Sequence, residues 1–114
     1  MDLILNEHTI RISTISIDGR LDAFSAAELH EAQERLLEAG HKNFIADLSS
    51  VTFMDSAGLS ALVSLLKRSR HLGGNMVLIR PADAAALHIL KLTRFDQVFE
   101  ITNNMQDALK LFSA

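Results

Sequence analysis

Met76-Val77-Leu78-Ile79 is an unbroken apolar run, set off by Gly73-Gly74 before it and Pro81 after it. A strand with one face in water alternates apolar and polar residues. A run with no polar face is expected where a strand is covered on both sides, as in a parallel sheet layered with helices. Phe44-Ile45-Ala46-Asp47-Leu48 has the same compact character. Parallel neighbours cannot be joined by a tight turn, so each pair needs a crossover, which is usually a helix.

The segments between the strands meet that need. Ser25, with Glu28 three residues on, predicts a capping box at the start of a helix whose stripe is Ala26, Leu29, Ala32, Leu36 and Leu37, and Gly40 stops it. Ser49-Ser50 is expected as a loop before Val51-Thr52-Phe53-Met54. After Phe53-Met54-Asp55-Ser56-Ala57-Gly58-Leu59, the residues Leu59, Leu62, Val63 and Leu66 fall on one helical face. Asp55 or Ser56 is the N-cap, because a short polar side chain there accepts from free amides of the first turn. Lys67, Arg68, Arg70 and His71 suit the negative end of that helix. Pro81 is expected to open a third helix with Ala86, Leu87, Ile89 and Leu90 on its apolar side. Val98-Phe99-Glu100-Ile101 is a brief strand. Asn103 or Asn104 caps a last helix carrying Met105, Ala108, Leu109 and Phe112.

The start of the chain is less regular. Leu3-Ile4-Leu5 is a short strand-like run followed by Asn6-Glu7-His8, and the pairs Ile10/Ile12 and Ile15/Ile17 alternate out of phase. A bulge near Ser13-Thr14 would restore one buried face, and Asp18-Gly19 signals a turn. The expected fold is a single α/β domain over residues 1–114. Its sheet is mixed, of about five strands, with an antiparallel edge hairpin, a parallel remainder and about four helices.

Composition narrows the function. A net charge of −3 removes the electrostatic basis for nucleic-acid binding, and with no cysteine there is neither a disulfide framework nor a thiolate metal site. No apolar run reaches the roughly 18 residues of a membrane span, and Asp2 and Glu7 interrupt the place of a signal peptide, so a soluble protein of the cytoplasm is expected. No metal or cofactor is expected. His8, His30, His41, His71 and His88 are scattered without ligand spacing.

Functional loops of parallel α/β sheets lie at the carboxyl ends of strands. Two such places carry acid or hydroxyl groups: Gly19-Arg20-Leu21-Asp22 and Asp55-Ser56-Ala57-Gly58. If their strands run the same way, Asp22, Asp55 and Ser56 share one surface. Paired carboxylates for acid–base work are conceivable with Asp22 and Asp55, but carboxylates beside a helix start are more often caps or solvated groups, and two further enzyme readings lack a needed residue. A nucleophile elbow needs Gly-x-Ser-x-Gly, and Met54 occupies the first glycine position. A phosphate-binding loop needs a glycine-rich turn ending in Lys-Ser/Thr, which is absent. Ser60 and Ser64 are expected on the helix surface or bonded back to the previous turn.

The whole order of motifs resembles the STAS domain family, and within it the bacterial anti-sigma factor antagonists. The resemblance rests on Gly19-Arg20-Leu21-Asp22 before the first helix and on Phe53-Met54-Asp55-Ser56-Ala57-Gly58-Leu59. Gly73-Gly74 before an apolar strand and Leu92-Thr93 before the last strand extend it over nearly the full chain. It implies a binding module rather than an enzyme. Ser56 falls on the family's phosphorylated serine, and Asp22, Asp55, Ala57 and Gly58 fall beside it on the partner surface. The implied partner is an anti-sigma factor that is also a serine kinase, bound by the unphosphorylated form and released by the phosphorylated one, with a phosphatase for reversal. No nucleic acid and no direct membrane insertion are implied. Ala57 stands where many antagonists have a second Ser or Thr, and Arg94 where the family often ends the third helix with glycine. The same fold also serves as a subunit of transporters or signalling assemblies, and an anion or nucleotide at the turn is a further alternative.

Overall fold

The computed structural model describes residues 2–7 and 9–113. Its elements are β1 (Ser13–Leu21), α1 (Ala23–Glu38), β2 (Asn43–Met54), α2 (Ser56–His71), β3 (Asn75–Ile79), α3 (Ala84–Leu92), a 3-10 turn at Phe95–Gln97, β4 (Glu100–Thr102) and α4 (Met105–Lys110). The strands form one sheet in the order β1-β2-β3-β4, and every pair is parallel.

The expected fifth strand and its antiparallel hairpin are not formed among the described residues. Leu3, Ile4, Leu5 and Ile10 lie outside any strand and are exposed, and His8 lies outside the described residues. The phase break between Ile12 and Ile15 has a different cause from the bulge expected near Ser13-Thr14. Ile15 and Ile17 pack on the main core, whereas Ile12 packs on a second cluster with Ile45, Val77, Ile79 and Ala108. The two sets therefore serve opposite faces of the sheet. The irregularities of register come later, between Ser16 and Asp18 and between Gly19 and Arg20, where Gly19 takes φ +79°.

The main core lies between the sheet and α1, α2 and α3. Phe44, Ala46, Leu48, Met76 and Leu78 meet Leu29, Leu37, Leu59, Leu62, Leu66, Ala86 and Leu90 there. The helix α4 covers the other face with Ala108, Met105 and Phe112. The unbroken run Met76–Ile79 is thus buried from both sides, as its composition requires.

Three local expectations are corrected. Ser49-Ser50 is not a loop but part of a twelve-residue β2; β3 ends at Ile79 opposite Asp47, and the rest of β2 continues against β1. The cap of α1 is Asp22, not Ser25, because the Asp22 carboxylate reaches two free amides while Ser25 returns the bond from the third helical position. Pro81 is buried ahead of α3, which starts at Ala84 with Asp83 as its cap; the Asp83 Oδ1 accepts from Ala86 N at 3.0 Å. Asn104 rather than Asn103 caps α4.

Candidate functional site

Leu21 and Met54 are register partners at the carboxyl ends of adjacent parallel strands, and each is followed at once by an aspartate that caps a helix. The two caps are therefore neighbours. Asp55 N donates to Leu21 O at 3.2 Å, tying the second helix start to the end of β1. Gly58 closes the contact: a Cβ there would lie 2.2 Å from the Leu21 carbonyl oxygen. Only glycine lets α2 approach β1 this closely. Farther along, Gln33 Nε2 donates to Ala61 O at 3.2 Å and Arg68 pairs with Glu34, so α1 and α2 sit side by side on one face of the sheet.

The first cap is a reciprocal box. Asp22 Oδ1 accepts from Phe24 N at 3.1 Å and Ser25 N at 3.3 Å, and Ser25 Oγ accepts from Asp22 N at 2.8 Å. Arg20 Nε donates to Asp22 Oδ2 at 3.2 Å while its guanidinium lies 4.0 Å from the Phe53 ring centroid. The Ser25 amide, and after it the Arg20 guanidinium, hold the Asp22 carboxyl below its ordinary pKa. Bonds to the charged form and a neighbouring cation both favour ionisation.

In the second cap, Asp55 Oδ1 accepts from Gly58 N at 3.0 Å and its carbonyl accepts from Leu59 N at 3.0 Å. The cap is thus Asp55, and Ser56 becomes the first helical residue. Its side chain is exposed, and its hydroxyl has no hydrogen-bond partner among the described residues. The amides of Ser56 and Ala57 are likewise left without a backbone partner, as expected at a helix start. Ala57 is half-buried and Gly58 buried, so Ser56 is the one hydroxyl in this turn that faces outward.

This arrangement presents a hydroxyl to which no base is bonded among the described residues. An activated serine needs a base within hydrogen-bond reach, and no side chain among the described residues bonds to Ser56. Two of the described histidines are engaged elsewhere: His30 meets Glu34 on α1, and His41 contacts Arg11 and Ser13 at the opposite ends of the strands. Among the described residues no group of His, Cys, Asp or Glu is placed to hold a metal ion. What remains is a fixed, solvent-facing hydroxyl at the positive end of a sixteen-residue helix, where added negative charge is tolerated.

Asp22, Asp55 and Ser56 are brought to this surface and Ala57 is half-buried in it, whereas Gly58, expected on the partner surface, is buried against Leu21 because α2 packs directly on the end of β1. Sequence reasoning missed Ser25 as the partner of Asp22, although Asp-x-x-Ser is a capping spacing with serine in the place of glutamate. It also missed the Arg20–Phe53 contact, which depends on strand register and has no local signal.

The family model described as "STAS domain" matches residues 4–108. The chain is 33% identical over 91 residues to a STAS-domain containing protein of Pseudomonas aeruginosa, covering 78% of this chain and 86% of that one. It is 26% identical over 88 residues to an anti-sigma-B factor antagonist of Staphylococcus aureus, covering 77% of this chain and 72% of the relative. Among solved structures, the phosphorylated form of the Bacillus cell fate determinant SpoIIAA superposes with a TM-score of 0.68 at 14% identity, covering 94% of this chain and 96% of that one. At that identity the likeness concerns the fold. No helix among the described residues is long and apolar enough to cross a membrane.

Proposed function

The chain belongs to the STAS domain family, and from that premise we propose that it is an anti-sigma factor antagonist switched by phosphorylation of Ser56. The observation that carries this reading is the free, outward hydroxyl of Ser56 at the first position of α2, beside two capping acids. The Staphylococcus aureus relative bears the name of such an antagonist. The protein acts by binding in the cytoplasm and not by catalysis; unphosphorylated, it occupies an anti-sigma factor that is also a serine kinase and so frees the sigma factor.

In the transfer step, the Ser56 oxygen attacks the γ-phosphorus of ATP held by the kinase. The bond to the β,γ-bridging oxygen breaks, ADP leaves, and the hydroxyl proton passes to a base of the kinase. A phosphatase reverses the change by hydrolysis. The domain accommodates the product, because the unpaired amides of Ser56 and Ala57 and the helix dipole face the new charge. The partner surface does not. The phosphate adds about −1.5 to −2 charges. Against a partner carboxylate about 5 Å away at an effective dielectric of about 20, repulsion is roughly 3 kcal/mol per unit charge. The total of about 5–6 kcal/mol is an upper figure before screening, and it matches the ~5.5 kcal/mol that moves a complex from 99:1 to 1:99.

The test is direct. Incubation with the kinase and ATP should add one phosphate, at Ser56, and Ser56→Asp should abolish the complex. Equal binding of Ser56→Asp and wild type would refute the switch. It would favour a constitutive subunit of a transporter or signalling assembly, which holds its partner whatever the state of Ser56.

A further inference from the structure

Phe24 is 88% exposed, more than any other large apolar side chain among the described residues, and it is the one aromatic among those that are exposed. It contributes nothing visible to the core: Phe24 belongs to neither apolar cluster, and α1 turns Leu29, Gln33 and Leu37 inward instead. Its position is tightly held nonetheless, since its amide donates to the Asp22 cap at 3.1 Å. Because Leu21 and Met54 are paired and α1 lies beside α2, the second residue of α1 and the first residue of α2 stand at the same end of the sheet. Adjacent packed helices are about 8–10 Å apart, so one partner surface spans both.

We propose that Phe24 is the apolar anchor of the surface that Ser56 switches, entering a pocket on the anti-sigma factor; this rests on the function proposed above. An exposed aromatic on a backbone fixed by the Asp22 cap, beside a small charged turn, has the composition of an interface hot spot with its polar rim. The electrostatics select the occupant. Arg20 neutralises Asp22, whereas Asp55 has no cationic partner among the described residues. The face is therefore net acidic around an apolar centre, and a second copy of the chain would bring the same acids to the contact. The fitting partner carries an apolar pocket for Phe24, a basic group for the unpaired Asp55 and, opposite Ser56, the carboxylate that repels the phosphate.

The test uses the full chain and the purified anti-sigma kinase from the same cells, comparing wild type, Phe24→Ala, Phe24→Leu and Ser56→Asp by surface plasmon resonance. Phe24→Ala should keep the wild-type melting temperature, because the side chain is out of the core, yet bind about 10- to 100-fold more weakly through faster dissociation. Phe24→Leu should recover part of the loss. Phe24→Ala binding within twofold of wild type, while Ser56→Asp does not bind, would overturn the anchor and leave the switch standing. Absence of binding by the wild type itself would overturn the switch, and the anchor with it.

Discussion

Replacing Gly58 with alanine should destabilise the domain, although the same change inside an ordinary helix is favourable by up to about 1 kcal/mol. The added Cβ would stand 2.2 Å from Leu21 O, 2.7 Å from Leu21 Cγ and 2.9 Å from Leu21 C. Real Cβ atoms stay beyond 3.0 Å from such neighbours, so α2 must retreat by the better part of an ångström. Two of the obstructing atoms are backbone at the end of a strand paired with β2, and no rotamer change relieves them. Retreat also stretches the Asp55 N to Leu21 O bond and pulls Leu59 and Leu62 from their buried places. Overpacking of this kind costs about 1–3 kcal/mol. Taking about 2 kcal/mol net, and about 4 °C per kcal/mol for a domain of this size, the melting temperature should fall by about 8 °C. Circular dichroism melts of wild type, Gly58→Ala and the exposed-face control Ser60→Ala would measure it, and hydrogen exchange would show faster exchange of the Asp55 amide. A melting temperature for Gly58→Ala at or above wild type, with the Asp55 amide equally protected, would refute the close-approach reasoning.

Two more outcomes follow from the caps and turns. Asp22 has a folded-state pKa below its ordinary value of 3.8, so its stabilising contribution is complete above that pH and is lost as pH falls through the folded pKa. Melting temperatures of wild type and Asp22→Ala should therefore differ at pH 7 and converge as the pH is lowered below about 3.8; a constant gap would show that the carboxylate charge is not the cause. Arg94 holds φ at +61° in the left-handed region. Glycine there relieves about 1–2 kcal/mol of strain against an entropic cost of about 0.5–1 kcal/mol, so Arg94→Gly should be net stabilising by about 0.5–1 kcal/mol in urea unfolding. A lower midpoint would contradict it.

Much of the domain was legible in short stretches of sequence because the forces that set them act over one helical turn or one strand. The apolar run Met76–Ile79, the stripe Leu59–Leu62–Leu66 and the cap before Ser56 each follow from residues two to four positions apart. Arg94 came from the resemblance instead: the position where the family often has glycine is the one non-glycine residue with positive φ among the described residues. The neighbouring caps needed one further fact, the direction of β1.

The misreadings share a cause. Ile10, Ile12, Ile15 and Ile17 alternate equally well for one face with a bulge or for two faces, and only packing against Ile45 and Val77 places Ile12 on the far side. Ser49-Ser50 looks like a loop because polar residues interrupt the run, yet β1 continues to pair with that stretch of β2 after β3 has ended. The sequence by itself determined the alternation of helices and strands after the first strand and the place of Ser56 at the start of α2, through local periodicity and capping. Only the tertiary structure decided that β1 and β2 are parallel, that Gly58 must be glycine because of Leu21, thirty-seven residues earlier, and that Phe24 is left in water. Those outcomes depend on which distant backbone comes to lie alongside, and no local preference carries that information.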